Sequence, residues 1–158
     1  MSHFCEIEVD FDVEATQELI EALETQFGKG NVEYHENGSD LFGYEGANRS
    51  KKSPGSPDYA PPCEIVIRRQ HVGSAANDVG FKAQANGKYK GYVSEYDNGS
   101  TFTAPKRAAV STEYCGKVFE KMAKAKGYSK VERFKTADGK THFKATGKSK
   151  HKVKTRNW

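Results

Sequence analysis

No stretch of this chain approaches the ~18 consecutive apolar residues of a membrane-spanning helix, and its start lacks the basic-then-apolar pattern of a secretory leader. The expectation is a protein without membrane association that stays where it is made, in the cytoplasm. Cysteine is scarce and odd in number, with Cys5, Cys63 and Cys115 far apart among 158 residues. That argues against a disulfide scaffold and for a reducing compartment, and each thiol reads as a small buried hydrophobe. His3 and Cys5 share a strand face, yet no CxxC, HxxxH or carboxylate ladder joins them, so no metal site is expected. A P-loop and a dinucleotide fingerprint are both missing, and no local signature supports Ser/His/Asp or Cys/His catalysis. The chain therefore reads as a protein that is not an enzyme, with no cofactor and no catalytic residue. Apolar residues make up only 35% of it against 15 glycines, which predicts a modest core and many loops. Its length suits one domain, 1–158, burying roughly two thirds of its unfolded surface.

What the chain does have is charge sorted by position. Residues 1–104 carry 9 Lys+Arg against 17 Asp+Glu, and residues 105–158 carry 16 against 4. An anionic ligand would meet the basic C-terminal third rather than the average surface.

Hydrophobic periodicity places the elements. From His3 to Phe11, Cys5, Ile7, Val9 and Phe11 alternate with Glu6, Glu8 and Asp10, the period of a half-buried strand. Asp12 is positioned to cap a helix with Leu19, Ile20, Leu23 and Phe27 inside, Glu18, Glu21 and Glu24 outside, and Gly28 as its stop. Residues 31–45 suggest a short strand pair turning at Asn37-Gly38. Residues 46–62, with prolines at 54, 57, 61 and 62, read as a long loop, either a surface insertion or a binding element. A central strand is expected over Cys63–Arg69, with Cys63, Ile65 and Ile67 on one side. Two more strands, Asp78–Ala83 and Lys88–Tyr96, are joined by the hairpin signal Asn86-Gly87. A second helix follows Thr103 and Pro105 to about Lys126, with Tyr114, Cys115, Val118, Phe119 and Met122 as its apolar stripe. The last hairpin turns at Asp138-Gly139, and a basic segment, 147–158, closes the chain. The order predicts an α+β fold, a mostly antiparallel sheet with two amphipathic helices packed on one face.

Met1 to Phe4, Glu64 to Arg68, Asp78 to Lys82, Tyr114 to Gly127 with its continuation to Asp138-Gly139, and the terminal Trp158 together resemble the hypothetical chloroplast reading frame thirty-five family of plastids and cyanobacteria. The resemblance spans almost the whole chain and implies a stand-alone small α+β domain, placed in the plastid stroma if the chain is organelle-encoded. It brings no activity, cofactor or catalytic residue to carry over. The loop over 46–62 is longer than the family pattern leads one to expect, and the C-terminal segment is lengthened and loaded with lysine.

Two sets of residues could hold an anion. In the C-terminal segment Lys148, Lys150, Lys152, Lys154 and Arg156 occupy alternate positions; if extended, they line one face at roughly 6.5 to 7 Å intervals, suited to neutralising a phosphate backbone. The other reading of that segment is a disordered solubilising tail. Arg68, Arg69 and Lys82, with Tyr44, Tyr89, Tyr92 and Tyr96, could instead form a basic, aromatic pocket for a nucleotide-like ligand, although tyrosines are ordinary residues of antiparallel strands. The expected partner is a polyanion or a nucleotide-like molecule. The alternative is a protein-interaction adaptor or a self-assembling homo-oligomer in which acidic and basic faces pair, with an enzyme as the third choice.

Overall fold

Alternating apolar residues at the start of the chain form strand β1 (Phe4–Asp12), whose outward residues are acidic. A computed structural model describes residues 3–147, so Met1, Ser2 and the segment 148–158 lie outside the described residues. The fold is α+β, in two compact units, Met1–Val110 and Ser111–Trp158.

In the first unit β1 is followed by a 3-10 turn (Val13–Ala15), helix α1 (Thr16–Phe27), β2 (Val32–Ser39), a second 3-10 turn (Arg49–Lys51) and β3 (Cys63–Ile67). Then come the four-residue α2 (Arg69–Val72), β4 (Val79–Ala83), β5 (Lys88–Ser94), the short α3 (Glu95–Ser100) and the opening of α4 (Ala104–Ala125). The strands pair antiparallel in the order β1-β5-β4-β3-β2, a meander from β2 to β5 with β1 added outside β5. One row crosses four strands as Ile65, Phe81, Gly91 and Ile7. On that face Phe11 meets Phe81 edge-on at 6.1 Å, and the Tyr89 and Thr16 hydroxyls share a 2.6 Å hydrogen bond that ties α1 to the sheet. Leu19, Ala22 and Leu23 of α1 are fully buried.

The opposite face has its own small core. Leu41, Ala60, Cys63, Val66 and Tyr92 cluster there with Phe4 against them, so the segment between β2 and β3 closes over the sheet. Cys63, expected beside Ile65 and Ile67, belongs to this second cluster. Gly80 makes the approach possible, because a Cβ there would lie 2.6 Å from Cys63 Sγ and 3.0 Å from Leu41 Cδ1.

Several local expectations are corrected. Asn37-Gly38 does not turn a hairpin; β2 runs through it to Ser39, and the register against β3 shifts between Tyr34 and Ser39. Gly38, at φ +84°, takes up the irregularity with a left-handed conformation that only glycine adopts at little cost. Beyond it, Phe42 makes only an isolated bridge with Asn48. Asp12 makes no side-chain cap to the helical turn after it; its carboxylate takes Lys88 Nζ at 2.7 Å. Glu18, expected on the outer helix face, is 9% exposed. The strands end earlier than their apolar patterns suggest, since Arg69 opens α2 and Ser94 caps α3 by accepting the Asp97 backbone N–H.

The second unit contains the rest of α4 and the hairpin β6 (Lys130–Lys135) and β7 (Thr141–Thr146), with Gly139 at φ +82° in the turn. Tyr114 and Ala123 of α4 are buried. Cys115 and Met122, expected in the apolar stripe, are exposed, Met122 to 49%. Phe119 stacks on Phe143 of the hairpin at 6.1 Å, and Gly116 clears the way, since a Cβ there would sit 2.8 Å from the Phe143 ring. No described helix is long and apolar enough to cross a membrane.

Candidate nucleic-acid interface

Arg68 follows β3 directly, and the sheet surrounds its guanidinium with acceptors. It donates to both Glu33 carboxylate oxygens (3.1 and 3.2 Å), to Asp78 Oδ2 and the Asp40 carbonyl (2.9 Å each), and to Ser39 Oγ (2.7 Å). Burial disfavours its charge, but the bonds from Glu33 and Asp78 outweigh that and raise its pKa. Glu33 shows the complement: burial works to raise its pKa, and hydrogen bonds from His35 and Arg68 with the Arg68 charge bring it below the ordinary carboxylate value. Arg68, one of the three cations expected to line an anion pocket, is thus engaged by the protein's own carboxylates.

Asp78, which is fully buried, accepts Arg68 at one end and the Phe42 and Arg69 backbone N–H groups at 2.8 Å each. Its neighbour Asn77 donates to Asp97 Oδ2 from backbone (2.9 Å) and side chain (3.1 Å), and accepts from Tyr44 N (2.9 Å). Asp97 also receives the Ser94 hydroxyl (2.7 Å) and the Thr101 hydroxyl (2.5 Å). Every carboxylate in this network has donors, as a buried charge requires. It pins the 42–44 segment to the sheet. The sequence did not reveal it, because its members come together from separate stretches, 42–44, 77–78 and 94–101.

Arg69 is more open; one of its nitrogens donates to the Tyr44 carbonyl at 3.1 Å. Arg68 and Arg69, with Phe42, Gly46, Gln70 and Asp78, line a concavity of about 370 Å³. Lys82 lines a different one, of about 330 Å³, with Tyr59, Tyr92 and Glu6 under the 54–61 segment. The three cations proposed from sequence therefore do not gather at one concavity. Lys148, Lys150, Lys152, Lys154 and Arg156 lie outside the described residues.

The second unit concentrates positive charge. By sequence the first unit holds 11 Lys+Arg and 17 Asp+Glu, the second 14 and 4, of which 9 and 4 fall in residues 111–147. Register sorts the hairpin residues into two faces. Val131, Arg133, Phe143 and Ala145 form the face toward α4, with Arg133 on the Glu113 carboxylate at 2.6 Å. The other face carries Lys130, Glu132 and Phe134 on β6 and His142, Lys144 and Thr146 on β7. Phe134 and His142 are directly opposed and stacked, 5.5 Å between centroids and 20° between planes. Beside the turn a concavity of about 430 Å³ is lined by Ser111, Thr112, Thr141 and Lys140, with Cys115 and Phe143. Among the described residues no group of three or more His, Cys, Asp or Glu could hold a metal ion.

No family model, curated protein or solved structure matches this chain.

Proposed function

We propose that this protein is a non-enzymatic binder of an anionic ligand, foremost nucleic acid, which it engages through its basic C-terminal unit. One observation carries the reading: the charge partition seen along the sequence coincides with the division into two compact units. A unit with 14 Lys+Arg and 4 Asp+Glu presents a field that raises the local concentration of a polyanion and releases counterions when it binds. The pocket reading is weaker, because Arg68 already has carboxylate partners and Lys82 stands elsewhere. The resemblance to the plastid and cyanobacterial family is compatible with this reading and adds no activity to it.

The test is fluorescence anisotropy of the purified, nucleic-acid-free protein with labelled oligonucleotides across a salt series. Changing Lys148, Lys150, Lys152, Lys154 and Arg156 together to Gln is expected to flatten the log–log salt slope by roughly 3 to 4 for a single strand, at about 0.7 counterion per contact. The loss should be the same for all base sequences, since phosphate contacts do not read bases. Failure to bind at ~50 mM salt would reject the proposal. Clean protein that forms concentration-dependent oligomers would point instead to acidic units pairing with basic units of other copies.

A further inference from the structure

We infer that the stacked Phe134–His142 pair on the open face of the β6–β7 hairpin is a platform on which a base of single-stranded nucleic acid stacks. The inference rests on the preceding reading that the second unit binds nucleic acid, and it supplies what charge alone does not, a reason to prefer unpaired bases. Phe134 is 46% exposed on a strand. Its register partner is His142, so the two rings rise side by side from neighbouring strands and each uses one face on the other. The outer face of Phe134 is left for a third ring.

The platform is oriented before any ligand arrives. His142 Nε2 lies 3.1 Å from the Thr136 hydroxyl, which also bonds to the Asp138 carboxylate in the turn. Asp138 in turn accepts the Lys140 backbone N–H at 3.1 Å. Holding the ring in this way lowers the ordering entropy that a ligand must overcome.

The surroundings fit a strand rather than an apolar partner. Lys144 stands two positions from His142 on the same face, one pleat away, where the phosphate flanking a stacked base would lie. Lys130 shares the face, and its Nζ is 3.2 Å from Glu132, which reduces the repulsion that carboxylate would offer to phosphate. An exposed aromatic among cations is the arrangement by which proteins hold single strands with little base preference. A duplex keeps its bases stacked on one another and offers the platform nothing.

The experiment uses the full chain and three labelled probes of about 12 units: oligo-dT, an abasic strand with the same phosphates, and a duplex. Phe134→Ala is expected to weaken oligo-dT binding roughly 5- to 150-fold, the range measured for one base–aromatic stack. It should leave abasic-strand affinity and the oligo-dT salt slope unchanged, and Phe134→Trp should retain oligo-dT binding. Unchanged oligo-dT affinity in Phe134→Ala, or equal losses on dT and abasic strands, would overturn the platform while leaving the electrostatic reading standing. Loss of binding to anionic phosphatidylserine vesicles with oligo-dT affinity unchanged would reassign the rings to a membrane surface. No binding of any strand by the unaltered protein would overturn both readings.

Discussion

Arg49 is the largest fully buried side chain of the described residues, and it comes from a segment that reads as loop from end to end. Its guanidinium lies 5.3 Å from the centre of the Phe4 ring and donates to Glu45 Oε1 (3.2 Å) and the Asp58 carbonyl (2.9 Å). Nothing in Arg-Ser-Lys-Lys marks one cation as interior, because burial depends on how the loop folds Glu45 and the Asp58 carbonyl back onto Arg49 and on a ring from the far end of the unit, Phe4. Arg49→Ala is expected to cost about 2 to 5 kcal/mol in denaturant unfolding, through loss of packing and of the charge Glu45 faces. Cysteine illustrates the same limit: three thiols with similar apolar neighbours in sequence end up half-buried, buried and exposed. Burial pushes the Cys63 thiol pKa up strongly and raises that of Cys5 less. Maleimide labelling of the native protein should therefore modify Cys115 first, Cys5 more slowly and Cys63 only on unfolding. Glu33 gives a pH dependence of definite sign. Its folded pKa lies below its unfolded value, so its contribution to stability is present above about pH 4.5 and is lost as pH falls through the folded pKa. Glu33→Gln should flatten the acid side of the stability profile, read by thermal unfolding from pH 3 to 6.

At the level of elements, the strands and the two long helices were legible because their apolar periods are long. The hairpins at Asn86-Gly87 and Asp138-Gly139 were legible from turn chemistry, and both glycines have positive φ. Asn37-Gly38 carries the same signal and fails, because β3 pairs with residues on both sides of it and converts the turn into a bulge. Local chemistry proposes a turn; pairing decides it. The second-face core was hidden for a related reason, since Leu41 and Ala60 are isolated apolar residues in polar sequence. Gly80→Ala tests it, with an expected loss of about 1 to 3 kcal/mol from the methyl forced against Cys63 and Leu41. Ile65→Ala, by contrast, removes volume from the other face and is expected to cost about 2 to 5 kcal/mol.

For the whole molecule, the electrostatic half of the candidate site was written in the sequence and the aromatic half was not. Phe134 and His142 stand eight positions apart and become neighbours only through hairpin register. The two units also differ in how firmly they are held. Among described residues the second unit buries only Tyr114 and Ala123, while β3 alone buries Cys63, Ile65, Val66 and Ile67. Native-state hydrogen exchange should accordingly be fast in β6 and β7 and slowest in β3 and β4. Adding a single-stranded oligonucleotide is expected to slow exchange in the hairpin and leave β3 unchanged.

β1 lies at the edge of the sheet and has β5 as its strand partner, with Phe4 opposite Ser94. During synthesis it is therefore made before every other strand of this sheet, and its partner β5 is made after all of them. At roughly 5 to 20 residues per second, its Ile7, Val9 and Phe11 wait on the order of 5 to 20 seconds before β5 exists. Throughout that interval a half-apolar strand is open to any other unfinished chain. The row of Glu6, Glu8, Asp10 and Asp12 on its other side then has a second use, as like charge that keeps two nascent copies apart until Lys88 and Lys90 arrive to pair with it.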